Sequence, residues 1–336
     1  MKFDLSEISW QGKSLNRPEC VLATRAGYKY VSDARGGVTE ISPYGAQRFF
    51  GGEHVPGYGL LKPNGIALLA NGDFLIAHLG DTRGGIFRIT REGICSAFVT
   101  EINGEPIPPT NFIYLDRQGR LWLTVSTRVA PRAHAYSKDV ADGFIALIEN
   151  GEARIVADNI GYTNEVYVDP DGQHLYVNAT FSRELIRYQI SADNNLQNPY
   201  VVTKFSAGTY PDGLTRDQQG NFWVTSIVSN RLLRVSPQGR HQIVLEDSDR
   251  EHLQWVEEAF QSGQMGRPHL DNIKSQSLQN ISSLAFSGVN LSVLNFGCLL
   301  GDKLGVIDSH QSVEATVHGV APAHWQFDDH RACCDD

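Results

Sequence analysis

Short apolar runs alternate with polar, glycine-containing turns along nearly the whole chain. In Pro211–Gly239, "PDGLTRDQQGNFWVTSIVSNRLLRVSPQG", an apolar run, a DQQG turn, the run NFWVTSI, a turn at VSN and the run RLLRVSP follow one another. This is the grammar of antiparallel strands joined by tight turns. Five further segments repeat it: "PECVLATRAGYKYVSDARGGVTEISPYG" from Pro18, "PNGIALLANGDFLIAHLGDTRGGIFRITREG" from Pro63, "TNFIYLDRQGRLWLTVST" from Thr110 with "GFIALIENG" after it, "TNEVYVDPDGQHLYVNATFSRELIRYQI" from Thr163, and a degenerate copy, "ISSLAFSGVNLSVLNFGCLLGDKLGVID", from Ile281. A fourth strand follows in most copies: AQRFF, CSAFVT, ARIVAD, YVVTKF, HQIVLE and, in the last copy, VEATVH.

The second residues of the six segments lie 45, 47, 53, 48 and 70 positions apart. Four strands at a period of about 40–50 residues is the repeat of a propeller blade. A β-sandwich has no reason to repeat a whole four-strand unit. The fold expected is all-β, a six-bladed β-propeller of four antiparallel strands per blade, as a single domain over residues 1–330 with a short tail at 331–336. The long fifth interval holds "DSDREHLQWVEEAFQSGQMGRPHLDN", whose central part has the apolar spacing of a helix. A second insertion, "RVAPRAHAYSKDVAD", falls between the second and third strands of the third copy. Either the N-terminal "FDLSEISW" or the segment after Val313 can close the ring of blades. The N-terminal strand is the expected partner of the last blade, because such closure removes two sheet edges.

The first strand of each blade lines the central channel, so the aligned second positions form a ring: Glu19, Asn64, Asn111, Asn164, Asp212 and Ser282. All six carry oxygen and two are acidic. Converging carboxylates and amide carbonyls repel or stay unsatisfied unless something positive sits among them. An all-oxygen set favours a hard divalent cation such as Ca²⁺. Asn, Asp and Ser also cap strand starts and turns, and that use of the same residues stays open for any one position.

Composition narrows the partners. Hydrophobic residues at 41% and charged residues at 20% describe a globular chain. A net charge of -9 argues against a nucleic-acid binder. No apolar run is long enough to span a bilayer, and the N-terminus carries acidic residues where a signal peptide needs its apolar core. The expectation is a soluble, cytoplasmic protein with a small-molecule partner and no membrane. The five cysteines have no zinc-type spacing, and the pair Cys333 and Cys334 reads as an incidental end. The sequons NAT, NIS and NLS mean little without a secretory signal.

The segments "TNEVYVDPDGQHLYV" and "PDGLTRDQQGNFWV" resemble the gluconolactonase/regucalcin family (SMP-30/gluconolactonase/LRE) of six-bladed propellers, related in design to paraoxonase and diisopropyl fluorophosphatase. The resemblance runs from about Pro18 to Asp308 and is strongest in the fourth and fifth copies. It implies one metal, usually Ca²⁺, held by a Glu of the first blade, an Asn of the fourth and an Asp of the fifth, with an Asn of the third beside them. Carried over, the metal ligands are Glu19, Asn164 and Asp212, and the catalytic residues are Asp212 and Asn111. The implied reaction is hydrolysis of a lactone or related ester, with Zn²⁺, Mn²⁺ or Mg²⁺ as other ions such a site accepts. Organophosphate hydrolysis, a metal-assisted isomerisation and simple Ca²⁺ or ligand binding are the alternatives, since a fold does not set its chemistry.

Where sugar-lactonase members carry an Arg two positions before the third-blade Asn and an acid after it, this chain has Pro109 and Phe112, which points to a more apolar lactone or ester. Thr215 stands where a second metal would want an acid, so one metal is expected. Candidate substrate contacts are Asn64, His78, Asn111, Phe112 and Tyr162. His78 falls near the catalytic His of the paraoxonase branch, but Asn64 replaces its partner, and a structural role is the simpler reading. The loop bearing Arg128, Arg132, His134 and Tyr136 can cover the channel mouth. Trp122 and Trp223 are expected in the core between blades.

Overall fold

The computed structural model describes residues 1–311 and 316–328. Six four-stranded antiparallel sheets surround a channel. Their inner strands are Val21–Ala23, Pro63–Leu68, Thr110–Leu115, Thr163–Val168, Tyr210–Arg216 and Ile281–Ser287. Each inner strand touches the next, and the last returns to the first, closing the circle. The first five blades are continuous in sequence, and their outer strands coincide with the five fourth-strand runs read from the pattern. In the sixth, the outer strand is Ser9–Gln11, registered as Ser9 with Val306 and Gln11 with Leu304. The N-terminal strand therefore closes the ring, as expected. The competing VEATVH lies partly outside the described residues, and its described part, Thr316–His318, is not a strand. The tail with Cys333 and Cys334 also lies outside them. Among the described residues, no helix is long and apolar enough to cross a membrane.

One local device recurs between first and second strands. In the sequences "DRQGRLW" and "DQQGNFW" the Asp turns back on its own loop. Asp116 Oδ1 accepts the Gln118 and Arg120 amides while its Oδ2 takes Trp122 Nε1–H at 2.9 Å. Asp217 repeats this with Gln219, Asn221 and Trp223, the last at 3.0 Å. Both tryptophans are fully buried between blades. Each Asp thus ties a turn to the core beneath it. Asp217→Ala strands the indole N–H and two amides and is expected to destabilise by about 3 kcal/mol, read as a lower urea midpoint at unchanged slope.

The two insertions meet over one end of the channel. Helix α1, Arg250–Gln261, is capped by Asp249 and followed by the short α2, Arg267–Asp271. Val256 and Phe260 of α1 pack with Tyr136 of the other insertion and with Tyr162, Phe181 and Tyr210. Glu257 of α1 holds the assembly in place: its Oε1 accepts Tyr210 OH at 2.7 Å and the Gly208 amide at 2.8 Å, and Arg183 pairs with it.

The other end of the channel is closed by the C-terminal segment. Val320 N–H donates to Arg216 O, Gly319 N–H to Leu291 O, and Arg25 N–H to Trp325 O, so the segment bridges the first, fifth and sixth blades. It encloses a cavity that includes Cys20, Phe112, Glu165 and His324. His324 is half-buried, with Nε2 shut off from solvent and unpartnered, and desolvation pulls its pKa down to about 4. Its folded value lies below the unfolded one, so the stability this adds is present above pH 6.5 and is lost as pH falls toward 4. Between pH 7 and pH 5 the loss is about 1–2 kcal/mol. His324→Gln is expected to flatten that part of the pH dependence of the urea midpoint.

Candidate active site in the channel

Every inner strand after the first is broken by a register shift at the ring position: between Pro63 and Ile66, Thr110 and Phe112, Thr163 and Val166, Pro211 and Leu214, and Ile281 and Leu284. A bulge puts two residues opposite one and re-aims a side chain. The bulges are held from behind. Asn178 Nδ2 donates to both Asp212 O and Gly213 O at 3.0 Å, Thr180 Oγ1 donates to Pro211 O at 2.8 Å, and Gly213 N–H donates to Thr225 Oγ1. A side chain at Gly213 would place its Cβ 2.3 Å from Ser282 O, so the residue after Asp212 has to be glycine.

The six ring residues are all buried, but they are not equivalent. Ser282 spends its hydroxyl on Glu19 O at 2.8 Å. Asn64 is used at both ends, donating to Asn111 O at 2.9 Å and accepting from Arg17 at 3.1 Å. Glu19, Asn111, Asn164 and Asp212 are the positions left for a ligand. Asn164 Nδ2 donates to Thr180 Oγ1 at 3.1 Å. Asn111 Oδ1 is buried with no donor. Glu19 Oε2 lies 2.5 Å from Arg17 Nη2 yet has no aligned hydrogen bond, so that contact is an ion pair only.

Electrostatics single out Asp212. Burial and then the Glu19 charge push its pKa up to about 8, against the pull of Arg17, a hydrogen bond from Asn164, and Arg132. Beside it, Glu165 is driven well above the carboxylate range by burial and by Asp212, and its Oε2 takes the Leu214 amide at 2.9 Å. The ring thus holds a buried carboxyl kept from ionising, an amide oxygen with no donor and a carboxylate paired to Arg17, and such oxygens could serve a cation. Among the described residues, no group of three or more His, Cys, Asp or Glu side chains is placed to hold a metal. The amides of Asn111 and Asn164 could add neutral oxygens to such a set, a donor type that Ca²⁺ accepts.

The remaining predicted contacts are placed as follows. His78 is buried with Nδ1 accepting the Lys62 amide at 2.9 Å, sits edge-on to Tyr58 and Phe87, and is held neutral by burial at about 4. Phe112 packs against Gly65 and lines the closed-end cavity. Tyr162 stands edge-on to Phe181 and Tyr136, with the Arg132 guanidinium 5.5 Å from its ring centre. Of the loop residues, Arg128 turns outward to Asp158 and His134 is exposed.

Sequence reading passed over three groups. Arg17 lies directly before "PE" and had no motif to mark it. Arg132 appeared only as a loop cation. Glu165 had a readable sign: the second and fifth copies read "PNG" and "PDG", and the fourth reads "TNE", a carboxylate where the repeat has Gly65 and Gly213.

Comparison with known proteins agrees with this architecture. A Bacillus subtilis protein, YvrE, named for sugar lactone lactonase activity, is 25% identical over 130 residues, 38% of this chain and 42% of its own length. The matched stretch is thus less than half of that relative. A luciferin-regenerating enzyme structure superposes with a TM-score of 0.68 at 18% identity, covering 95% of this chain and 97% of the other. Regucalcin from Agrobacterium tumefaciens, described as a calcium-binding protein, gives 0.64 at 15% identity over 93% and 96% of the two chains. At these identities the structures speak for the fold. The model of the SMP-30/gluconolactonase/LRE-like region matches residues 21–246, more than half of the chain and five of its six blades, and the protein belongs to that family.

Proposed function

We propose that the protein is a hydrolase of lactones or related carboxylic esters that works with one divalent cation, Ca²⁺ first among the candidates. The observation that carries this reading is one buried ring that holds Asp212, a carboxyl kept from ionising, the donorless Oδ1 of Asn111 and the Glu19 carboxylate. The family to which the chain belongs and the name of its B. subtilis relative support the lactone. The description of regucalcin supports calcium.

Glu19, Asn164 and Asp212 would hold the ion, with Asn111 beside them. When bound, such an ion polarises a carbonyl oxygen and acidifies a water. Asp212 would accept the proton of the attacking water at a carboxylate oxygen as the new carbon–oxygen bond forms. The acyl–oxygen bond of the ring then breaks, and the proton passes to the departing alkoxide to give the hydroxy acid. Asn111 Oδ1 and Asn164 orient substrate and water without adding charge. Tyr162 and Tyr210, packed under the two insertions, limit solvent at the mouth, which strengthens the electrostatics inside.

The test is pH-stat titration of a panel of lactones and aryl esters, with chelator and then Ca²⁺, Mg²⁺, Mn²⁺ or Zn²⁺ added back. Turnover is expected to vanish with chelator and to return with Ca²⁺. Calorimetric binding of a divalent ion with no turnover of any panel member would replace the hydrolase with a binder.

A further inference from the structure

Thr180 and Phe181 lie in the turn that follows the strand His174–Ala179 of the fourth blade, and both are buried. Thr180 is bonded on three sides. Its N–H donates to Tyr162 O at 3.0 Å, its hydroxyl donates to Pro211 O at 2.8 Å, and the hydroxyl oxygen accepts Asn164 Nδ2 at 3.1 Å. One side chain thus joins two inner strands, at Asn164 itself and at the residue before Asp212.

The direction of these bonds decides how Asn164 is presented. A hydroxyl has one hydrogen, and that of Thr180 is given to Pro211 O. Toward Asn164 it can only accept, so the amide turns Nδ2 to Thr180 and keeps Oδ1 for a ligand in the ring. The fold does not ask for this hydroxyl. Register pairs Thr163 with Ala179, Pro63 with His78, Pro211 with Ser226 and Ile281 with Cys298. The residues that correspond to Thr180 in the second, fifth and sixth blades are therefore Leu79, Ile227 and Leu299, and Ser126 of the third accepts Arg132 instead.

Phe181, next in the chain, stands against both insertions. Its ring centre lies 5.0 Å from that of Tyr136 and 6.1 Å from that of Phe260. It also lies 4.7 Å from Tyr162 and 6.0 Å from Tyr210, which stand two residues before Asn164 and Asp212. In a close-packed cluster a shift of the insertions is passed to the turn that holds Asn164.

We infer that Thr180 is a positioning residue of the channel site: its hydroxyl fixes which atom Asn164 turns to the ligand and holds the strand of Asp212, while Phe181 ties that setting to the two insertions over the mouth. The inference rests on the hydrolase reading above and names a residue that prepares its site. Without the hydroxyl the Asn164 amide is free to turn, and an N–H then faces the cation in place of an oxygen.

The experiment compares, in the full chain, Thr180→Val, which keeps the shape and removes the hydroxyl, with Thr180→Ser, which keeps the hydroxyl. Thr180→Val is expected to weaken Ca²⁺ binding in calorimetry and to lower kcat on a lactone, each by about 10–100-fold, with KM changed by less than about twofold. Thr180→Ser should stay within about twofold of wild type in both. Phe181→Leu, with the hydroxyl intact, should lose about fivefold in both. Phe3→Ala, at a residue that packs on Trp223, shows the effect of lowered stability alone and should move neither. Wild-type ion binding and kcat in Thr180→Val, or a Thr180→Ser as poor as Thr180→Val, overturns the role of the hydroxyl. Unchanged values in Phe181→Leu overturn the link to the insertions.

A cation-free readout separates this from the hydrolase reading. In the wild type the Asn164 side-chain amide hydrogens should exchange slowly with solvent by NMR, and about tenfold or more faster in Thr180→Val. If no lactone is hydrolysed and no ion is bound, the hydrolase reading fails, and that loss of protection still upholds the positioning of Asn164. Fast exchange already in the wild type overturns it, whether or not Thr180→Val folds.

Discussion

Asp212→Asn is expected to lower lactone turnover by about 10³-fold or more, inside the 10²–10⁴ range that a positioned general base contributes. On the proposed mechanism the change removes both a charged ligand and the proton acceptor while keeping the side chain's size. Its neighbours should hold position, because the bulge that presents Asp212 is tied through its backbone to Asn178 and Thr180. The same variant should bind the cation more weakly in calorimetry and need more Ca²⁺ for any residual activity. It should also be no less stable than wild type when cation-free, since the native site tolerates the Asp212 charge poorly. Wild-type turnover in Asp212→Asn would remove this residue from the chemistry. Full turnover with unchanged ion binding would leave the channel ring without a catalytic role.

Deleting residues 1–11 is expected to be the most damaging change to stability. It removes the outer strand of the sixth blade, leaving the Leu304–Asp308 edge unpaired and open to association with other chains. It also removes Phe3, which is buried against Trp223 with ring centres 6.3 Å apart and whose amide donates to Val244 O in the fifth blade. Emptying the Phe3 site alone costs about 3–5 kcal/mol. The deletion should therefore unfold near room temperature or elute as aggregates. Phe3→Ala provides the graded comparison: folded, with a lower urea midpoint and unchanged cation binding, because Phe3 packs on Trp223 and not on the channel ring. A deletion variant that keeps its thermal midpoint would mean that the blades hold together without this strand.

The architecture was legible because a blade is a local object. Strand, turn and strand lie within a few tens of residues of one another, so alternation, the Asp–x–x–Gly turns and the aromatic second strands repeat at a readable period. The same alignment put Glu19, Asn64, Asn111, Asn164, Asp212 and Ser282 at equivalent positions of the six copies, and all six are buried. The helix in the long interval and the buried roles of Trp122 and Trp223 followed from pattern in the same way.

Partner choice was another matter, because it depends on side chains that meet from distant parts of the chain. Six polar positions looked alike in the alignment. Asn64 is consumed by the third blade's backbone and by Arg17, and Ser282 by Glu19 O, so four remain. Periodicity shows that a residue faces the channel but carries no record of the donor it will meet there. Arg17 and Arg132 stand outside the repeats, and only folding brings their charges to Asp212. The same holds for the closed end of the channel, where a C-terminal segment without strand pattern lies across the first, fifth and sixth blades through backbone hydrogen bonds. Composition and period set the fold and the ring of polar positions, whereas long-range burial and pairing set the charge of that ring, which of its side chains stay unpartnered and how the channel's two ends are covered.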